Sequence, residues 1–163
     1  MNDPLVWFLE CHERMRRFTL GLERLVALPD LQDPRVAPAA AQAGRYYKEG
    51  LPLHGEDEDV SLAPRLRVRG IAPAVEAALE RMEADHVLLH AGLPNLIHLL
   101  DLAAAGTPPD RAALREASAW ISGLLFPHMD IEETVIFPAM TVLTAEDRAA
   151  MLGEMRARRG LTG

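Results

Sequence analysis

The sequence predicts an all-α protein, an up-down-up-down four-helix bundle with a short additional C-terminal helix. Three observations predict it. Apolar residues recur every three or four positions along four long stretches. No alternation of period two runs long enough to build a sheet. The connectors are short and rich in proline or glycine, which sets successive helices side by side and antiparallel. A chain of 163 residues suffices for one domain with a real core. The bundle is expected over residues 1–143, with a C-terminal helix and tail packed on it over residues 144–163.

Asp3-Pro4 opens the first helix, Asp as cap and Pro at the first helical position. Leu5, Phe8, His12, Met15, Thr19, Leu22 and Val26 then carry it to about Ala27. LPDLQDPRVAP is a turn-rich connector. The second helix runs from near Val36 to near Leu62, with Tyr47, Leu51, His54, Glu58 and Leu62 inward, and APRLRVRGIAP reads as the next connector. The third spans about Ala74 to Ala104, its inner side formed by Val75, Leu79, Met82, His86, His90, Leu93, Ile97 and Leu100. After AAGTPPD the fourth carries Leu114, Ile121, Leu125, His128, Glu132, Val135 and Ala139 to about Val142. Thr144 and Asp147 form a capping-box-like start for the fifth, which ends at Gly160. Its Ala149, Leu152 and Met155 share one face, with Arg156, Arg158 and Arg159 near the end.

The composition, 49% hydrophobic and 25% charged, is that of a globular chain. A formal charge of −7 repels nucleic acid and anionic lipid, so neither is an expected partner. One cysteine, Cys11, excludes a disulfide framework. The basic residues of MNDPLVWFLECHERMRR follow the apolar run, the reverse of a signal peptide, and no stretch is expected to approach the roughly 18 apolar residues needed to span a bilayer. The expected location is the cytoplasm, and a protein partner is not readable from the chain.

The inner stripes contain residues that a core normally rejects. Of the six histidines, five lie on them: His12, His54, His86, His90 and His128. Glu58 and Glu132 lie there too. An unpaired buried carboxylate costs several kcal/mol or more, so two of them among imidazoles call for a cation. His54 and Glu58, His86 and His90, and His128 and Glu132 are each four apart and stack on one helix face. The four helices carry these groups at roughly the same height, ~12–21 Å from one end of the bundle. Two segments are near-copies, HGEDEDVSLAP from His54 and HMDIEETVIFP from His128, each with Glu four places and Pro ten places after the His. Nitrogen and oxygen donors without thiolate suit non-haem iron better than structural zinc.

This pattern resembles hemerythrin and the hemerythrin-like HHE domains. They have a lone His on the first helix, His and Glu four apart on the second, two His four apart on the third, and His with a carboxylate on the fourth. The likeness covers roughly residues 5–142. It implies two non-haem iron ions joined by an oxo or hydroxo bridge, with His86, His90 and His128 on one, His12 and His54 on the other, and Glu58 and Glu132 bridging. Such a set fills all but one position of two six-coordinate irons, the open one on the iron with two histidines. Oxygen carriers of this family use Asp five residues after the last His. Here Glu132 stands at four, one methylene longer, and Glu133 at five is expected to point away unless the helix is distorted.

The implied ligand is dioxygen, or another small species such as nitric oxide or peroxide, bound for sensing, storage or delivery. The alternatives are a di-iron enzyme with ferroxidase, peroxidase or nitric-oxide-handling activity, or a metal-responsive regulatory module. Glu83 and His86 make one Glu-x-x-His motif, whereas ferritin-like oxidases need two. Turnover is therefore the less favoured reading, and Glu83 reads as solvated. Pro52, Pro94 and Pro127, close to the histidines, are expected to kink their helices. His98 reads as a surface residue, and Cys11 as a small buried residue pointing away from the site.

Overall fold

A computed structural model describes residues 3–161. It contains five helical rods: α1 (Pro4–Val26), α2 (residues 36–69), α3 (Pro73–Ala104), α4 (residues 111–142) and α5 (Ala145–Arg158). No strand occurs among the described residues. The Asp3 carboxylate accepts from the Leu5 N–H ahead of Pro4, and Asp110 caps α4 through the Ala113 N–H. Thr144 and Asp147 close a reciprocal capping box on α5.

The stretch 63–73 departs from the sequence-based expectation. Residues 63–69 extend α2 as helix, and only Gly70, Ile71 and Ala72 connect it to α3. Gly70 makes that sharp turn at φ 77°, a left-handed conformation that a side chain disfavours. Pro64 does not break the rod because the turn before it is π-helical.

Three such turns interrupt otherwise α-helical rods, at Tyr46–Gly50, Asp57–Leu62 and Glu132–Ile136. Each ends two residues before a proline: Pro52, Pro64 or Pro138. A proline offers no N–H to the carbonyl four residues back and clashes with it. Here the residue before the proline bonds five back instead, Leu51 to Tyr46, Ala63 to Glu58 and Phe137 to Glu132, and the turn widens. Pro94 and Pro127 sit inside regular α-helix, so proline favours the wide turn without compelling it.

The core is divided. One apolar cluster includes Met15, Leu22, Leu51, Leu89, Leu96, Ile121 and Met129. The other includes Phe8, Leu62, Leu79, Met82, Ile136 and Phe137, together with Met151 and Met155 of α5. On every rod of the bundle the break between the two falls at the polar inward residues: His12, His54 with Glu58, His86, and His128 with Glu132. On α5 the buried residues are Met151, Leu152 and Met155, while Ala149 is exposed. Contrary to the sequence expectation, α3 is by length and composition apolar enough to cross a membrane, with mean hydropathy 1.4 over its best window. It nonetheless turns Asp85 and His86 inward and supplies six leucines to the buried set.

Candidate metal centre

Six side chains from four rods meet between the two apolar clusters. Glu58 and Glu132 are fully buried, and each spreads its two oxygens to opposite sides. Glu58 sets Oε1 at 3.1 Å from His54 Nε2 and Oε2 at 3.3 Å from His86 Nε2. Glu132 sets Oε2 at 2.8 Å from His12 Nε2 and Oε1 at 2.9 Å from His128 Nε2. Two clusters result, one of His12, His54, Glu58 and Glu132, the other of His86, His128, Glu58 and Glu132. Within each, the candidate donor atoms lie within 4.8 Å of one another. The carboxylates belong to both clusters and the imidazoles to one each.

No carboxylate oxygen of Glu58 or Glu132 has a hydrogen-bond partner, and neither has Nε2 of His12 or His54. Orphaned buried acceptors of this kind are costly. Facing one another at ligand spacing, they suit metal cations of nitrogen and oxygen preference.

The buried acids and imidazoles favour one another's charged forms. Burial opposes charging His54, but the Glu58 carboxylate and the neighbouring Cys11 raise it well above its usual range. Burial likewise opposes His86, yet Asp59 and Glu58 lift it to about 10. Burial would raise Glu58, and the His54 charge more than offsets this. For Glu132, burial and then the charge of Glu58 push upward, while contacts with His12 and His128 hold it below the usual value.

Carboxylates stand behind three of the rings and hydrogen-bond two of them, those of His12 and His86. His12 Nδ1 lies 2.7 Å from Glu133 Oε1, which Arg16 holds at 2.6 Å. His86 Nδ1 lies 2.8 Å from Asp59. His128 Nδ1 lies 3.4 Å from Asp85, itself held by Arg81 at 2.8 Å. A carboxylate at Nδ1 keeps the proton there, leaving the Nε2 lone pair for a metal, and raises its basicity. His54 has Cys11 beside it instead, so Cys11 adjoins the site rather than pointing away from it.

The structure separates some residues that the sequence grouped. His90 is exposed and belongs to neither cluster; Leu89 and Leu93 take the inward positions beside it. Glu133 does not point away, because the π turn Glu132–Ile136 brings the fifth residue after His128 back toward the site. Glu83 is engaged by both terminal nitrogens of Arg67, at 2.6 and 3.1 Å, and stays outside the clusters. His98 is exposed. Sequence reasoning missed Asp59 and Asp85. Their one signal is adjacency, each standing next to an inward residue, Glu58 or His86.

The family model described as the hemerythrin HHE cation binding domain matches residues 3–140, which takes in all four rods of the bundle and leaves α5 outside. An uncharacterized protein of Haemophilus influenzae is 29% identical over 94 residues, 55% of this chain and 52% of that protein. The chain thus spans about half the length of that relative. No solved structure matches.

Proposed function

The chain belongs to the hemerythrin HHE cation-binding family, and from that premise we propose that it is a non-haem di-iron protein. In this reading it binds dioxygen, or another small diatomic such as nitric oxide, reversibly, for sensing, storage or delivery. The observation that carries the reading is the sharing of Glu58 and Glu132 between two clusters, one oxygen of each acid on each side. One ion would need only one cluster; two carboxylates spread across both suit a bridged pair.

Iron would supply the redox-active centre at which a diatomic binds. The protein's own residues do the rest. His12 and His54 hold one side, His86 and His128 the other. Glu133 and Asp59 keep the His12 and His86 rings in the metal-facing tautomer. Phe8 and Phe137 stack at 5.4 Å and pack an apolar surface against the His12–His54 side, with ring centroids 5.8 Å from His54 and 5.1 Å from His12, respectively. The binding of Glu83 by Arg67 favours ligand binding over ferritin-like oxidase turnover, since it removes the one Glu-x-x-His motif from the site.

Metal analysis of the purified protein, with optical spectra of reduced and air-exposed samples, tests the reading. Two irons per chain, and a visible band that forms in air and bleaches on deoxygenation, are expected. Sustained consumption of peroxide or ferrous iron would move the assignment to an enzyme.

A further inference from the structure

Behind His12, His86 and His128 stands a carboxylate each, from Glu133, Asp59 and Asp85. His54 has none there. Its Nε2 faces Glu58 at 3.1 Å, and its buried Nδ1 has no hydrogen-bond partner. Beside His54 lies instead a cleft of ≈ 520 Å³ between α1, α2 and the end of α5. No other residue of the two metal clusters lines it, so it meets His54 from outside the metal centre.

The charge of this cleft runs against that of the chain. Arg14, Arg45 and Arg159 line it with Glu49 as the acid among them, in a protein of formal charge −7. Arg14 and Arg45 each have an acid four residues away on their own rod, Glu10 and Glu49, yet neither forms an ion pair among the described residues. Arg159 is shared, with Nη2 2.7 Å from Asp57 and its guanidinium 5.1 Å from the centre of the Trp7 ring. Guanidinium groups gathered without counter-charge repel one another, and an anionic guest relieves this. Phe18 and Tyr46, stacked at 4.4 Å, add an apolar wall. The volume falls within the range of about 300–1,000 Å³ usual for small-molecule sites.

We propose that this cleft binds a small organic anion, its oxyanion head on Arg14 and Arg45 and its body against Phe18 and Tyr46. The guest brings to His54 the negative charge that Glu133, Asp59 and Asp85 bring to the other rings. Its effect on a metal pair rests on the di-iron reading; its binding does not, since every group invoked belongs to the chain itself.

Nuclear magnetic resonance of the isotope-labelled, metal-free full chain tests the proposal, with benzoate and phenyl phosphate titrated in at constant ionic strength. Saturable shifts are expected at the amides of Arg14, Arg45 and Tyr46 and at the His54 ring. In Arg14→Gln with Arg45→Gln the affinity should fall roughly ten- to hundredfold, through loss of two charge-assisted contacts. Both arginines are exposed, so the core is untouched by the change. Arg24→Gln with Arg115→Gln alters net charge equally but outside the cleft, and affinity should stay within about threefold. Tighter benzoate binding assigns a carboxylate head to the guest, and tighter phenyl phosphate binding a phosphate head. Shifts that do not saturate with either probe, a His54 ring that stays unmoved, or equal affinity in the two double variants overturns the proposal. Failure of the chain to take up iron would instead sink the di-iron reading, and the titration would still decide the cleft.

Discussion

Asp57 and Glu58 are consecutive residues of one π turn, both fully buried, and they face opposite charges. Asp57 meets Arg158 at 2.8 Å and Arg159 at 2.7 Å, both at the end of α5. Glu58 meets His54 and His86. The C-terminal helix, which lies outside the matched family region, therefore grips the turn that carries a shared carboxylate.

Replacing both arginines, Arg158→Ala with Arg159→Ala, leaves Asp57 as a buried charge without these partners. Loss of about 3–5 kcal/mol of stability is expected. Chemical denaturation of the metal-free chain measures it. A change below about 1 kcal/mol would mean that Asp57 finds other compensation.

The shared acids and the unshared imidazoles should differ in kind when removed. Glu58→Ala or Glu132→Ala strips one ligand from both clusters, so both ions should be lost or weakened together. His12→Ala or His86→Ala touches one cluster, and about one ion per chain should remain. Metal content after gel filtration separates the two patterns. Equal loss from all four variants would contradict the division into two clusters.

Glu133→Gln and Asp59→Asn remove a carboxylate from Nδ1 while leaving every proposed ligand in place. Metal affinity should fall by roughly 10- to 100-fold, as for other carboxylates behind metal-bound histidines. Competition with a chelator reads this directly. Thermal stability without metal should change little for Glu133→Gln, because Glu133 is partly exposed.

The docking of α5 should be sensitive to acid. Burial alone would raise the Glu154 carboxyl, but Arg65 at 2.6 Å and the Ser61 hydroxyl at 2.5 Å hold it below its ordinary value of 4.5. A lowered carboxyl stabilises the fold above its unfolded pKa, and that contribution disappears as pH falls through the folded value. The midpoint of thermal unfolding should therefore drop more steeply with acid below about pH 4.5 in the natural chain than in Glu154→Gln. Parallel curves would show that the contact contributes nothing measurable.

Much of the helical layout was legible because it rests on local rules. Asp3-Pro4, Asp110 and the Thr144–Asp147 box mark helix starts through side-chain hydrogen bonds to nearby N–H groups. The inward stripes through His12, His54, His86 and His128 follow from the helical repeat alone, as does the polar layer they form. The near-copied segments also have a physical reading. Each proline ten residues after the His follows a π turn whose i→i−5 bond ends on the carbonyl of the inward glutamate, Glu58 or Glu132.

His90 shows where periodicity stops. Residues four apart on an α-helix are offset by about 40°, and at α3 that offset is enough to bring Leu89 and Leu93 inward and leave His90 exposed. Glu133 departs in the opposite sense: the helix is distorted there, and the widened turn returns it to the site.

By itself the sequence determined the number of helices, their polarity along the chain and the presence of acids and imidazoles at one level, since propensity, capping and period act within a few residues. Tertiary structure alone decided which of those groups share a volume, which carboxylates stand behind the rings, and on which side a cavity opens. Those outcomes depend on the rotation and separation of packed rods, and a shift of one residue in a π turn or 40° on a helix redirects a side chain without leaving a mark in the local pattern.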